Sequence, residues 1–435
     1  MKPICVVSCP IDTFSGYGAR SRDFIKSLIK EKDSEWDIKI SPQRWGDTPW
    51  NFLPENDPLR NRFINSTKQR PDIWIQITVP NEFQPVGKYN IGITAGIETT
   101  IFPKEFIDGM NKMDLNLVSS NHSKNVALNT QYEQKNNQGQ VTGIIKLQKP
   151  VEVLFEGLDL NIFHKKTSNT SSILDGVKED FCFLYTGHWL NGRLGEDRKN
   201  TGLLIKTFLE TFNTPSNKKP ALVLKTNKVS YSILDREEVI KQIHEIKKLV
   251  KGNLPNIYLL HGEMTDDEMN ELNNNPKIKT FVSFTKGEGF GRPLLEAAIT
   301  GKPVITSNWS GQTDFIKKDY NILIGGELKQ VCKSAANQFL IKESQWFNIN
   351  TAIASRAMKD VFNHYKKYIE KSRKQTQYIK NNFSLDKMGE LLNNYLPKVD
   401  ASPQLQQLKL PKLKKVGSNG QLPKLKLPKL KTIEA

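Results

Sequence analysis

The sequence has little of what would place it in a membrane, in an oxidising compartment or around a metal ion. No apolar run approaches the roughly 18 residues that a membrane span requires. The 435 residues include only four cysteines and six histidines, and none of these are spaced like the ligands of a zinc site. Three of the cysteines lie in apolar contexts, which favours buried free thiols over a disulfide framework. We therefore expect neither a metal site nor disulfides.

The overall composition is that of an ordinary globular chain. Charged residues make up 25% and hydrophobic residues 37% of it, and the length predicts two or three domains. The first residues, MKPICVVSC, lead straight into an apolar strand and lack the apolar segment and cleavage site of a signal peptide. We therefore expect a cytoplasmic protein.

The net charge of +17 is unevenly distributed. Residues 401–435 hold eight Lys and one Glu, a net +7, which leaves 17 − 7 = +10 for the first 400 residues. This tail repeats LPKLK, in which Pro opposes a helix and Lys opposes collapse, so we predict a disordered segment. It is equally suited to solubilising the chain and to docking on an anionic partner: a membrane surface, an acidic protein or nucleic acid.

The stretch 281–314, FVSFTKGEGFGRPLLEAAITGKPVITSNWSGQTD, reads as a strand, a glycine-rich turn, a helix and a second strand. Gly287, Gly289 and Gly291 stop the first apolar run. Pro293 suits the first position of a helix and Gly301 its end, which predicts a helix over 293–300. The free backbone N–H groups of a helix start favour an anion such as a diphosphate.

Two carboxylates flank this predicted anion site, with seven residues between them. Glu288 lies in the turn and Glu296 in the helix. An ionised carboxylate only accepts hydrogen bonds, so its natural partners are hydroxyls. A nucleotide sugar presents ribose hydroxyls on one side of its diphosphate and sugar hydroxyls on the other, which matches this layout.

The segment GEGFGRPLLEAAITGKPVI resembles the Glu-(seven residues)-Glu signature of retaining glycosyltransferases with the GT-B fold, above all glycosyltransferase family 4 (group 1). The resemblance implies that Glu288 contacts the transferred sugar and Glu296 the ribose. It also implies that a run of consecutive residues surrounds the phosphates and the sugar, namely Gly289, Phe290, Gly291, Arg292, Pro293 and Leu294.

In this family, the loop after the first strand of the second domain supplies an Arg and a Lys to the donor diphosphate. Lys199 matches the Lys, and His188 occupies the common Arg place, so Arg193 or Arg198 takes that role. Lys225, at the end of the next strand, is a further candidate to face the phosphates. Cations there would stabilise the departing diphosphate as a metal ion does in other transferases. The nucleotide sugar would be a substrate, and we expect no cofactor.

In the first half, PIDTFSGYGARSRDF joins a strand to an amphipathic helix. Its Gly16 and Gly18 resemble the glycine loop that faces the cleft in GT-B enzymes. A tight turn that serves only the fold explains them equally well, and Arg20 and Arg22 are compatible with a helix surface.

The acceptor side is less well specified. Many family members carry a His or Asp in the segment that corresponds to TAGIETT, and this chain has neither. Glu98 is the best candidate for that role, since it follows a predicted strand at the sheet edge where ligands bind. Trp45 and Trp50 are both compatible with an acceptor pocket and with a loop anchor.

We therefore predict an α/β protein of GT-B architecture, with two Rossmann-like domains facing a cleft. Residues 1–160 would form the acceptor domain, 175–375 the nucleotide-sugar domain, 376–396 a helix returning to the first domain, and 401–435 the tail. The predicted function is retaining, metal-independent transfer of a sugar to an unknown acceptor, a glycan, a lipid or another molecule. The alternatives are a nucleic-acid-directed glycosyltransferase or nucleic-acid-binding protein, and a nucleotide-sugar epimerase.

Overall fold

Two parallel sheets organise the protein in a computed structural model that describes residues 2–67, 69–167 and 171–399. The strands of the first half are β1 (Ile4–Cys9), β2 (Asp37–Pro42), β3 (Ile73–Ile77), β4 (Tyr89–Thr94), β5 (Leu115–Val118), β6 (Gln131–Lys135), β7 (Val141–Lys146) and β8 (Val151–Val153). Its helices are α1 (Gly16–Lys32), α2 (Lys104–Met110) and α3 (Asn121–Asn129).

The first sheet has the order β2-β1-β3-β4-β5-β8, and all its neighbouring strands are parallel. Its central strands are nearly continuous apolar runs because helices cover both faces of a parallel sheet. Helix α1 buries Phe24, Ile25 and Leu28 against it. Strands β6 and β7 form a separate antiparallel hairpin.

The second half repeats the alternation of strands and helices. Its strands are β9 (Cys182–Thr186), β10 (Ala221–Lys225), β11 (Ile257–Leu260), β12 (Ile278–Ser283), β13 (Val304–Ser307), β14 (Ile322–Ile324), β15 (Gly326–Gln330) and β16 (Gln345–Ile349). Its helices are α4 (Thr201–Thr211), α5 (Ile233–Lys248), α6 (Asp266–Asn274), α7 (Arg292–Ala298), α8 (Thr351–Asn363), α9 (Tyr365–Asn382) and α10 (Leu385–Tyr395).

The second sheet has the order β11-β10-β9-β12-β13-β14 and is also parallel throughout. This is the strand order 3-2-1-4-5-6 of a Rossmann fold. Strands β15 and β16 form an antiparallel hairpin outside it. Each half of the chain is therefore a Rossmann-like α/β layer structure with its own apolar core.

The end of the described chain crosses between the two halves. Helix α9 packs on α7, and its Ile379 belongs to a core of the second half. Helix α10 packs on α1 and places Met388 and Leu392 in the core of the first half. The predicted single helix over 376–396 is interrupted, because Ser384 caps α10 by accepting a hydrogen bond from the Lys387 N–H (3.2 Å).

Three other predictions concern the length of α7, membrane spans and the C-terminal tail. Helix α7 spans 292–298 rather than the predicted 293–300. None of the described helices is long and apolar enough to cross a bilayer. The predicted tail, 401–435, lies outside the described residues, so its partner and its disorder stay predictions, as do the domain boundaries.

Candidate active site

A cleft of about 600 Å³ lies between the two sheets, at the carboxyl ends of their strands. Its walls come from the loops that follow β1, β4, β9, β10 and β12. Strands β9 and β12 are neighbours whose chain connections leave in opposite directions, and such switch points are where ligands bind in open α/β sheets. The volume lies in the range of about 300–1,000 Å³ typical of small-molecule pockets.

Glu288 stands at the centre of a cluster of charged side chains. Lys199 Nζ lies 2.6 Å from Glu288 Oε1, and Arg198 Nη1 lies 3.3 Å from Oε2. Arg198 Nη2 lies 3.3 Å from Glu98 Oε1, and its Nη1 donates to the Gly287 carbonyl (2.7 Å). The cluster thus brings together four of the predicted catalytic residues from both halves of the chain.

The local chain direction explains how Lys199 reaches this cluster. The next residue, Asn200, has φ of +58° and starts helix α4. Among side-chain-bearing residues, Asn adopts this left-handed conformation with comparatively little strain. Asn200 therefore lets the chain enter α4 in a left-handed conformation without a glycine.

Burial and charge act against each other at Glu288, which is only 7% exposed. Burial raises its pKa, but Lys199 and Arg198 outweigh that effect and hold the pKa of Glu288 below its usual value. Burial lowers the pKa of Lys199, and Glu288 opposes the shift. Glu288 is therefore an ionised carboxylate at neutral pH.

The cleft as a whole carries more positive than negative charge. Six cationic side chains and four carboxylates line it: Arg20, Arg198, Lys199, Lys225, Lys228 and Arg292 with Glu98, Glu156, Glu288 and Glu296. Lys225 is the least paired by carboxylates, since its Nζ donates to the Gly262 carbonyl (2.5 Å). A diphosphate, with about two negative charges, would be electrostatically matched to this excess.

The glycine turn lies close against the first half of the chain. A Cβ atom added at Gly287 would stand 2.0 Å from the Glu98 carbonyl oxygen, and one at Gly289 would stand 2.0 Å from that of Ala95. The Gly289 carbonyl also accepts a hydrogen bond from Ser119 Oγ (3.1 Å). Glycine is required at these two positions because the two backbones touch.

Three consecutive backbone N–H groups of this turn remain available to a ligand. Within the described part of the chain, those of Gly289, Phe290 and Gly291 have no hydrogen-bond partner. The Phe290 ring itself is buried, 4.8 Å from the ring of Phe315. The turn can therefore bind phosphate or sugar oxygens through its backbone.

Glu296 lies in α7, the helix that follows the turn, and is held by Arg292, which contacts both halves of the chain. Arg292 Nε donates to Glu296 Oε1 (2.7 Å), and Arg292 Nη1 pairs with Asp23 of α1 (2.5 Å). All three side chains are at most about 10% exposed. Among the described residues, Glu296 Oε2 has no hydrogen-bond partner, so it can accept a hydrogen bond from a ligand hydroxyl.

Burial raises the pKa of Glu296 to about 7, and Arg292 offsets only part of the effect. Between pH 4.5 and about 7, the folded protein therefore keeps on Glu296 a proton that the unfolded chain, with the ordinary pKa of 4.5, has released. The contribution of Glu296 to the free energy of unfolding is fully present below pH 4.5 and is lost as the pH rises through about 7. We expect Glu296→Gln to match the wild type at pH 5 and to exceed it by about 1–3 kcal/mol at pH 8.

Urea unfolding of both proteins at the two pH values measures this difference directly. Glu210→Gln, on the solvent side of α4, is the matched control and should show no growth of the difference with pH. An equal difference at pH 5 and pH 8 would contradict the raised pKa.

The structure places three predicted residues outside the cleft. Leu294 is buried in the core, and its N–H is already used by the Gly291 carbonyl (2.9 Å). The Gly18 N–H donates to Ser15 Oγ (2.9 Å), which caps α1. Arg193 lines a separate cavity beside Trp189. Of the two arginines proposed for the diphosphate, only Arg198 reaches the site, while Gly16 and Pro293 do line the cleft.

The sequence reading missed several cleft residues on α1 and near its start. Tyr17 lines the cleft, and so does Arg20, which was compatible with a helix surface but is 3% exposed. Arg20 Nη1 lies 3.6 Å from Glu156 Oε1. Arg22 is likewise buried. The partners that bury these arginines lie within the first half of the chain, since Arg20 Nη2 donates to the Leu154 carbonyl (2.9 Å) and Arg22 Nη1 to the Ile11 carbonyl (2.9 Å). No local pattern marks these contacts.

The described residues contain no group of three or more His, Cys, Asp or Glu side chains that could hold a metal ion. His188 lines the cleft. Burial, with Lys199 and Arg198 nearby, lowers its pKa to about 4. His188 is therefore neutral at physiological pH and is not a further cation at this site.

Comparisons with known proteins agree with this architecture. A family model described as glycosyl transferases group 1 matches residues 241–375, less than a third of the chain. No curated protein matches the sequence. The structure of this protein superposes on that of a glycosyltransferase from Rickettsia africae with a TM-score of 0.59 at 15% identity. The match covers 91% of this chain and 97% of that one.

Two further solved structures have comparable similarity. HepE from Anabaena, in complex with UDP-glucose, gives a TM-score of 0.57 at 11% identity, covering 90% of this chain and 99% of that one. Sucrose-phosphate synthase from Thermosynechococcus elongatus gives 0.56 at 10% identity, covering 91% and 98%. The chain has the GT-B fold. The predicted fold class is therefore confirmed, with the cleft between its two Rossmann-like domains.

Proposed function

We propose that the protein is a glycosyltransferase that moves a sugar from a nucleotide-sugar donor to an acceptor, with retention of configuration and without a metal ion. One observation carries the proposal. Glu288, in contact with Lys199 and Arg198, lies in a turn with three free N–H groups, and Glu296, with one free carboxylate oxygen, lies in the helix that follows it. The match to the group 1 family model supports the same reading.

Each part of the donor has a partner in this arrangement. Glu296 Oε2 accepts a hydrogen bond from a ribose hydroxyl, and the free N–H groups of the turn bind diphosphate and sugar oxygens. Glu288 accepts from a hydroxyl of the transferred sugar. Lys199 and Arg198 stabilise the diphosphate, since they line the cleft and contact Glu288 of the turn.

The chemistry follows from this placement. The bond between the anomeric carbon and the diphosphate oxygen breaks, and the electron pair leaves with the diphosphate. Lys199 and Arg198 stabilise the charge that builds there, in a site where burial strengthens the interaction. The acceptor hydroxyl attacks from the face that the diphosphate leaves, and its proton passes to the departing diphosphate. The new bond has the configuration of the old one.

The test is release of nucleoside diphosphate from a panel of UDP-, GDP-, ADP- and dTDP-sugars by the purified chain, with and without EDTA. UDP-glucose is the first donor to try, because the structurally similar HepE was solved with it. We expect release from one donor, unaffected by EDTA, and strongly reduced in Glu288→Gln. Glu210→Gln, the exposed carboxylate on α4, serves as the matched control.

Four outcomes would contradict the proposal or one of its parts. Absence of both donor binding and release would remove the transferase function. Conversion of the donor into a second nucleotide sugar, followed by NMR, would indicate an epimerase instead. Loss of release in EDTA would remove the metal independence, and an inverted anomeric signal in the product would remove the retention.

A further inference from the structure

An aromatic pair lies on the first-domain side of the cleft and has no role in the proposed donor site. The rings of Tyr17 and Trp45 are stacked, with centroids 4.1 Å apart and planes inclined by 28°. Both residues line the cleft and both are only partly buried. One indole face rests on Tyr17, so Trp45 is positioned as a flat apolar surface at the edge of the cavity.

This pair is held in place from both sides. The Tyr17 hydroxyl lies 2.9 Å from Thr94 Oγ1 and accepts a hydrogen bond from the Ala95 N–H (3.0 Å). The loop that carries Trp45 is tied to the loop after β1, since the Phe14 N–H donates to the Pro49 carbonyl (3.1 Å). A stacking surface fixed in this way costs little side-chain entropy when a ligand binds.

The same contacts place the pair next to the turn that would hold the transferred sugar. The Tyr17 hydroxyl accepts a hydrogen bond from the Ala95 N–H. The Ala95 carbonyl in turn lies so close to Gly289 that a Cβ added at Gly289 would stand 2.0 Å from the carbonyl oxygen. A molecule stacked on Trp45 therefore lies beside the donor turn, on the side of the first domain.

The charges around the pair indicate which kind of molecule it takes. A flat indole accepts either a nucleobase or the C–H face of a sugar ring, whose polarised hydrogens suit the negative face of the π system. The first-domain wall of the cleft contains one cation, Arg20, and two carboxylates, Glu98 and Glu156. Arg20 already faces Glu156 at 3.6 Å. Glu98 likewise faces Arg198 at 3.3 Å. Such a wall offers no unpaired cation to a phosphodiester, and its carboxylate oxygens accept hydrogen bonds from hydroxyls.

From these observations we propose that the acceptor is an uncharged sugar whose ring stacks on Trp45, so that one of its hydroxyls is glycosylated. This inference rests on the proposed function and adds the substrate class. In the reaction a bond forms between that hydroxyl oxygen and the anomeric carbon, the sugar–phosphate bond breaks, and the hydroxyl proton leaves with the nucleoside diphosphate.

The first experiment measures binding and needs no turnover. Methyl pyranosides of glucose, galactose, mannose and N-acetylglucosamine are each mixed with the protein and UDP and followed by saturation-transfer difference NMR. We expect signals from the ring C–H protons of at least one glycoside, loss of those signals in Trp45→Ala and their retention in Trp45→Phe. Trp50→Ala, in the same loop but outside the cleft, is the matched control.

Either of two results would overturn the assignment. One is that no pyranoside gives a signal, and the other is that the signals persist in Trp45→Ala. Thermal unfolding of Trp45→Ala and Trp50→Ala shows whether both variants are folded, and Trp45→Phe keeps the test valid if the alanine variant is not.

The second experiment measures transfer with the donor identified in the panel. Products from the same pyranosides, and from a single-stranded DNA oligonucleotide, are detected by mass spectrometry. We expect a disaccharide, with the acceptor KM raised roughly tenfold or more in Trp45→Ala. Transfer to the oligonucleotide alone, or an equal rise of the donor KM, would overturn the proposal. If the donor is never cleaved, the proposed function fails, while the NMR result still decides whether a sugar binds at Trp45.

Discussion

Replacing Lys199 with alanine is expected to lower kcat for nucleoside-diphosphate release by roughly 100- to 1,000-fold, the usual effect of removing one group that stabilises transition-state charge. The Lys199 side chain is 13% exposed and contacts Glu288 at 2.6 Å, so it lies beside the proposed diphosphate position. The charge it stabilises is largest in the transition state, and kcat should therefore change more than the donor KM.

Lys206→Ala is the control for this experiment. Lys206 lies on the outer face of α4, one and a half turns after the start of the helix, and pairs there with Glu210. Its loss should leave kcat within twofold of the wild type. A fall of less than about tenfold for a folded Lys199→Ala protein would mean that Arg198 alone stabilises the leaving group, or that the diphosphate binds elsewhere.

Gly289→Ala is the second substitution for which we expect a large effect. The added Cβ would stand 2.0 Å from the backbone oxygen of Ala95, and backbone on both sides of the contact leaves no flexible side chain to move. The two domains must then separate at this point. We expect a loss of about 1–3 kcal/mol in stability, as for overpacked cores, together with loss of most activity, since the free N–H groups move with the turn.

The effect is measured by urea unfolding and by nucleoside-diphosphate release on the same preparations. Gly176→Ala is the matched control, because a Cβ at Gly176 meets nothing within 4 Å. Near-normal stability in Gly289→Ala would show that the domains are separated at this point in solution. Normal activity would show that the turn does not bind the donor.

The donor side of the site was predictable because its parts are close together in the sequence. The turn from Gly287 to Gly291, Glu288 and Glu296 lie within ten residues, and their relative positions follow from one turn and one helix. The capping box of α6 is local in the same way, since its Thr265 and Glu268 are three residues apart. Local chain geometry is sufficient for such features.

Other assignments depended on distance in space and were less complete. Arg193 and Arg198 lie in one loop with similar local sequence, and only the fold shows that Arg198 faces Glu288 while Arg193 lines another cavity. Leu294 belongs to the same motif as Glu296, but its N–H is used inside the helix. The motif identifies the segment, and the hydrogen bonds identify which of its groups are free.

The amino-acid sequence by itself determined the parallel α/β class, the glycine turn that we propose binds the donor, and the two carboxylates near it, since each of these depends on neighbours along the chain. Only the tertiary structure decided which side chains complete the site. Arg292 meets Asp23 across 269 positions of sequence, and Tyr17 meets Ala95 across 78. The first contact joins the two halves of the chain and the second lies within the first half, and the packing of one surface on another is not encoded in any local pattern.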